Sequence, residues 1–90
     1  MNWHIYILRC ADNSLYTGIT TDVPRRVEEH NRGLVGAKYT RAKRPVTLVY
    51  AEATDTRSHA LIRESAIKKL PKTEKERLIA TSPARAPGNT

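Results

Sequence analysis

Three stretches of the chain are dense in β-forming residues, and the polar residues between them separate one element from the next. Asn2 to Arg9 carries Trp3, Ile5, Tyr6, Ile7 and Leu8, which predicts a first strand. The cluster Ala11-Asp12-Asn13-Ser14 predicts a turn, and Leu15 to Thr20 returns to strand composition, giving a hairpin. Side-chain parity constrains that hairpin. A two-residue turn at Asp12-Asn13 would oppose Tyr6 to Ile19 and send Tyr16 to the other face. Both phenols share a face only if the loop is odd or bulged. Asn13 tolerates the left-handed conformation such a loop needs, so the irregular turn is expected.

Asp22 is a suitable helix N-cap, and Pro24 fits a first turn where no intrahelical donor is required. The helix should run to about Asn31 and stop at Gly33. Val23, Val27 and His30 keep a 3–4 spacing with Arg26 beside them, so Arg26 is the inward arginine. Arg25, Glu28 and Glu29 point more toward solvent. Gly33 to Pro45 reads as a loop. Val46 to Ala53 is almost continuously apolar and is expected to be a central or well-covered strand. Thr54 or Asp55 should cap a second helix ending before Pro71. Its apolar face holds Ala60, Leu61 and Ile67, and at about 100° per residue Glu64 falls in the middle of that stripe. Thr73-Glu74-Lys75-Glu76 matches a capping box for a third helix over Leu78 and Ile79. Residues 1–81 therefore read as one α+β domain, order β-β-α-β-α-α, with a three-stranded sheet. Residues 82–90 read as a disordered tail.

Composition narrows the class. A 90-residue chain makes one domain that buries only about 60% of its unfolded surface. Its one cysteine, Cys10, has no partner within the chain, and no Cys/His cluster of zinc type exists. A reduced, cytoplasmic setting fits. No apolar run approaches the roughly 18 residues of a membrane span, and no export signal is evident. Net charge is +7, and its placement matters more than its size. Between His30 and Ala51 lie Arg32, Lys38, Arg41, Lys43 and Arg44 with no acidic residue. Such a stretch attracts polyanions by releasing condensed counterions; the plainer alternative is a solvated loop.

The inward polar groups are Tyr6, Tyr16, Arg26 and Glu64, with His30 and Lys38 as further candidates. A carboxylate on a core-facing stripe is costly unless it is paired or bound to a cation. The lone acid disfavours glycosidase chemistry, which needs two; no nucleophile–base triad or glycine-rich phosphate loop is evident. An arginine fork, two phenols and a cation-ready carboxylate suit attack on a phosphodiester. The alternatives for single residues are an Arg26 stem lying over the core, a structural ion pair for Glu64 and a packing role for His30.

His4-Ile5-Tyr6, Tyr16-Thr17-Gly18, the helix start TDVPRR and the later RESAIKKL occur in an order and at a spacing that resemble the GIY-YIG nuclease superfamily. The likeness is greatest to small stand-alone bacterial proteins made of little more than that domain, and it covers about residues 2 to 80. It implies an antiparallel sheet with flanking helices and a nuclease site dependent on a divalent metal, Mg2+ or Mn2+. By motif match it implies Tyr6 as general base or water-positioning group and Tyr16 as an orienting group. Gly18 stands where a side chain would crowd the site. Arg26 is implied on the scissile phosphate, Glu64 as metal ligand and His30 as a supporting residue. Lys38 lies where the family often has a further cation, and with Arg41, Lys43 and Arg44 it forms the expected nucleic-acid contact. His4 and Thr17 replace the glycine and isoleucine of the name motif without removing a reacting group. The implied function is a metal-dependent DNA endonuclease, in repair or recombination, acting on branched or damaged DNA with RNA still open. The alternative is a nucleic-acid-binding module with little turnover. No obligate protein partner is expected.

Overall fold

The hairpin closes through an odd loop. Cys10 N donates to Ser14 O at 2.8 Å and Asn13 N donates to Cys10 O at 2.9 Å, with Asn13 at φ 72°. This is the three-residue turn with a left-handed third position that parity required. Strand β1 (Trp3–Arg9) and strand β2 (Leu15–Thr20) then pair antiparallel with Tyr6 opposite Gly18 and Leu8 opposite Tyr16. Both phenols fall on one face.

The computed structural model describes residues 2–33 and 42–81. After the hairpin come helix α1 (Val23–Arg32), strand β3 (Thr47–Thr54), helix α2 (Arg57–Lys68) and helix α3 (Lys72–Thr81), in the expected β-β-α-β-α-α order. The sheet order is β2-β1-β3, and both pairings are antiparallel. None of the described helices is long and apolar enough to cross a membrane. The tail beginning at residue 82 lies outside the described residues.

The position of β3 differs from expectation. It is an edge strand in which only Tyr50 is fully buried. The central strand is β1, where Ile5, Tyr6, Ile7 and Leu8 are all buried. Its odd and even positions face two separate apolar clusters. Ile5 and Ile7 pack with Tyr50, Ala60 and Ile67, joined by Leu78 and Ile79, under α2 and α3. Tyr6 and Leu8 pack with Cys10, Val46 and Val27 under α1. Burial of each isoleucine contributes about 1.5–3 kcal/mol, so β1 anchors both layers. The apolar run at β3 reaches both clusters, Val49 and Tyr50 one and Val46 and Leu48 the other, while its Glu52 binds Arg63 at 2.9 Å and the Tyr50 hydroxyl.

The helix termini follow local chemistry. Asp22 Oδ1 accepts from Arg25 N at 3.1 Å, Pro24 sits in the first turn, and Gly33 closes α1 at φ 72° with its N–H directed to Glu29 O and His30 O. The cap of α2 is Thr56, one or two residues later than expected; its Oγ1 accepts from His59 N at 3.1 Å. Ala60 and Ile67 are buried as expected, but Leu61 is exposed. Helix α3 starts at Lys72, with Pro71 O accepting from Glu74 N and Lys75 N. Glu76 does not close the expected capping box, because both its oxygens bind Arg9, at 2.6 and 2.7 Å.

Candidate active site

Helix α1 lies over the face of the hairpin that carries the phenols, and its first turn and last turn deliver different groups. His30, near the C-terminus of α1, is buried and places Nε2 3.1 Å from the Tyr6 hydroxyl. The three rings form one cluster. Tyr6 and Tyr16 centroids are 6.4 Å apart, Tyr6 and His30 6.0 Å, and Tyr16 and His30 5.2 Å in an edge-on arrangement. Gly18 forms the floor. A Cβ built there would lie 2.5 Å from the Tyr6 hydroxyl and 2.7 Å from its Cζ. The glycine is therefore needed for the tyrosine ring itself to lie flat across β2.

Arg26 stands one turn before His30. Its Nε donates to Glu29 Oε1 at 3.2 Å, and Arg25 reaches the other oxygen of Glu29 at 3.3 Å. Glu29 was expected to face solvent. It is half-buried instead, because it bridges the two arginines. Its single carboxylate engages Arg26 through Nε.

Electrostatics tie the cluster together. Burial pushes the Tyr6 phenol up to about 12; the neighbouring Tyr16 and Glu64 push in the same direction, and the charge and hydrogen bond of Arg26 oppose them. Thus Arg26 and Glu64 both act on the Tyr6 hydroxyl. Burial, then the Arg26 charge, lowers the His30 pKa, with Glu29 working against them. The imidazole is neutral at pH 7. Glu64 itself is mostly covered, its side chain 16% exposed, and its carboxylate lies 3.4 Å from Lys68 Nζ.

The remaining basic candidates are placed differently. Lys43 binds Asp12 of the hairpin turn at 3.1 Å. Arg44 donates to Asn31 O, at 3.4 Å, near the end of α1. Lys38 and Arg41 lie outside the described residues. No group of three His, Cys, Asp or Glu side chains suited to a metal occurs among the described residues. That argues against a zinc-type cage. One partly covered carboxylate fits a hard cation that keeps most of its water, as magnesium does.

The model of the GIY-YIG catalytic domain matches residues 2–77. This chain belongs to the GIY-YIG family. Among its GIY-YIG relatives, a UPF0213 protein of Desulfotalea psychrophila is 54% identical over 80 residues, 89% of this chain and 73% of its own length. A UPF0213 protein of Staphylococcus aureus is 56% identical over 75 residues, 83% of this chain and 90% of its own length. The solution NMR structure of a UPF0213 protein from Bacillus halodurans superposes with a TM-score of 0.58 at 44% identity, covering 90% of this chain and 85% of that one. A second NMR structure, from E. faecalis, gives 0.61 at 43% identity, with the same coverage. GIY-YIG domains belong to a nuclease superfamily, and the shared fold alone does not fix the reaction of any one member.

Proposed function

We propose that this GIY-YIG domain hydrolyses phosphodiester bonds in DNA with the help of a divalent cation. The observation that carries this reading is the Tyr6 hydroxyl. It touches a neutral, buried imidazole 3.1 Å away and feels Tyr16, Arg26 and Glu64 at once.

With a phenol pKa near 12, Tyr6 is protonated at neutral pH and is not a free phenolate base. With His30 Nδ1 carrying the ring proton, Nε2 accepts from the Tyr6 O–H. The pair then works as a relay. A water held against the Tyr6 oxygen attacks phosphorus and gives a proton to that oxygen, while the tyrosine's own proton passes to His30 Nε2. A P–O bond to the water oxygen forms and the P–O bond to the leaving oxygen breaks. The leaving oxygen takes a proton from solvent, and the imidazolium returns its proton to solvent afterwards. Tyr16, edge-on to His30, limits where the water can sit. Arg26 offers the terminal nitrogens of its fork to the phosphate oxygens, where charge grows in the transition state. Glu64 would hold Mg2+ or Mn2+ through its carboxylate, and the bound ion supplies charge neutralisation at the phosphate.

The substrate is DNA, branched or damaged forms included, in a repair or recombination setting within a reducing compartment that suits the free, buried Cys10. The test is plasmid nicking with magnesium or manganese by wild type, Tyr6→Phe and Glu64→Ala. Cleavage by the wild type alone is expected. Equal cleavage by all three would expose a contaminant and overturn the reading.

A second reading, nucleic-acid binding with little turnover, draws on the high Tyr6 pKa and on the Lys68 ammonium beside Glu64. It predicts salt-sensitive DNA binding by wild type and Glu64→Ala alike, and no cleavage with either metal.

A further inference from the structure

Beside the tyrosine cluster, at the free edge of β2, the surface opens into a hollow of about 260 Å³ lined by Leu15, Tyr16, Thr17, Lys68 and Lys75. Three elements build it: β2 supplies the floor, the last turn of α2 supplies Lys68 and the first turn of α3 supplies Lys75. It joins the candidate active site at two points. Tyr16 belongs both to its lining and to the ring cluster, 5.2 Å from His30 between centroids. Lys68 belongs to its lining and touches Glu64 at 3.4 Å.

The chemistry of the hollow is that of an anion site. Lys75 is half-buried and forms no ion pair among the described residues. The Lys68 side chain is 53% exposed and has one carboxylate contact at the outer limit of a hydrogen bond. The lining also includes Thr17, a buried residue whose Oγ1 has no hydrogen-bond partner among the described residues. A buried hydroxyl without a partner costs about 1–3 kcal/mol, and a hydroxyl can donate to a phosphate oxygen. Two cations and a spare hydroxyl, one residue away from the reacting groups, suit a backbone phosphate.

We propose that this hollow, through Lys68 and Lys75, grips a phosphate of the DNA strand adjacent to the one attacked. The proposal rests on the nuclease reading for its ligand. It adds a strand contact at the junction of α2 and α3 to the one that sequence places in the loop before β3. A strand held there would pass along the β2 edge over Tyr16, which sets the scissile phosphate near Tyr6 and Arg26. It also gives Lys68 two competing partners, the Glu64 carboxylate and the strand.

The experiment measures binding of a short fluorescein-labelled DNA duplex across a salt series, without divalent metal. The proteins are wild type, the double variant Lys68→Ala/Lys75→Ala, and Arg77→Ala on the far side of α3. Each phosphate contact contributes about 0.9 to the slope of log K against log salt. The double variant is expected to lose about 0.9 from that slope, and Arg77→Ala to keep the wild-type slope. Amide shifts of Tyr16, Lys68 and Lys75 on titrating the wild type with the same duplex give an independent readout that requires no variant to fold. An unchanged slope in the folded double variant, or shifts that avoid all three residues, would overturn the subsite. Either result leaves the nuclease reading standing if the wild type nicks plasmid. A wild type that binds and does not cleave, with the slope reduced as expected, would overturn only the catalytic reading. No binding by the wild type at low salt removes the subsite.

Discussion

The Tyr6 hydroxyl and His30 Nε2 stand 3.1 Å apart beneath α1, and their proton affinities are shifted in opposite directions. The phenol is raised to about 12 and the imidazole is lowered, each chiefly by burial. The fold holds His30 neutral in a range where an unfolded histidine, with a pKa of about 6.5, binds a proton. Stability therefore rises with pH across that range. The contribution is complete above about pH 6.5 and is lost as pH falls through the lowered folded value. Cleavage should fall in the same direction, because imidazolium cannot accept the Tyr6 proton. Thermal denaturation and nicking rates followed from about pH 8 down to 5 should both decline for wild type. His30→Gln, which does not titrate, should have low activity and lack the acidic loss of stability.

Gly18→Ala places a methyl group 2.5 Å from the Tyr6 oxygen. Tyr6 is buried in the central strand and cannot swing clear. Overpacking of this kind costs about 1–3 kcal/mol. Urea denaturation should show that loss. Nicking should fall further than the folded fraction does, since the hydroxyl that meets His30 is the group displaced. Activity tracking the folded fraction alone would mean that its position is unimportant.

Arg26→Lys keeps the charge and discards the fork. If the guanidinium only attracted DNA, binding and cleavage would survive. Geometry predicts otherwise: with Nε engaged by Glu29 at 3.2 Å, the terminal nitrogens form a planar pair that an ammonium cannot copy. The cleavage rate should fall by about 10²-fold, with duplex affinity within about threefold of wild type. A loss of affinity matching the loss of rate would reassign Arg26 to binding alone.

Arg9 and Glu76 tie α3 to the end of the central strand with two short hydrogen bonds, and Lys72 adds a third contact to Glu76 at 2.8 Å. The hydrogen bonds from Arg9 and then Lys72 hold the Glu76 carboxyl down to about 2. Its stabilising effect is present above the unfolded value of about 4.3 and disappears as pH falls through 2. Glu76→Gln should cost about 1 kcal/mol at neutral pH, measured by chemical denaturation, with the difference from wild type vanishing in acid.

What could be read from the chain followed the range of the interaction concerned. The odd hairpin loop was legible because side chains alternate strictly along a strand, so two phenols on one face fix the parity. Asp22, Pro24 and Gly33 were legible because caps act within a turn or two. The gathering of Tyr6, Tyr16 and Arg26 on one face followed from those two facts. The edge position of β3 was not legible, since an apolar run reports cover and not rank within a sheet. The cap expected of Glu76 was lost to Arg9, a partner from the opposite end of the domain. Glu29 looked solvated because helical spacing says nothing of two arginines converging on it. The Lys68–Lys75 hollow draws on β2, α2 and α3 together, and no local pattern announces such a meeting.

Because β1 turns its odd residues to one apolar cluster and its even residues to the other, a single strand acts as a partition. Ile5 and Ile7 secure the scaffold against α2 and α3, while Tyr6 presents its hydroxyl to His30 of α1. Substitutions around α1 can reshape the surface beside Tyr6 while the opposite layer keeps the molecule assembled.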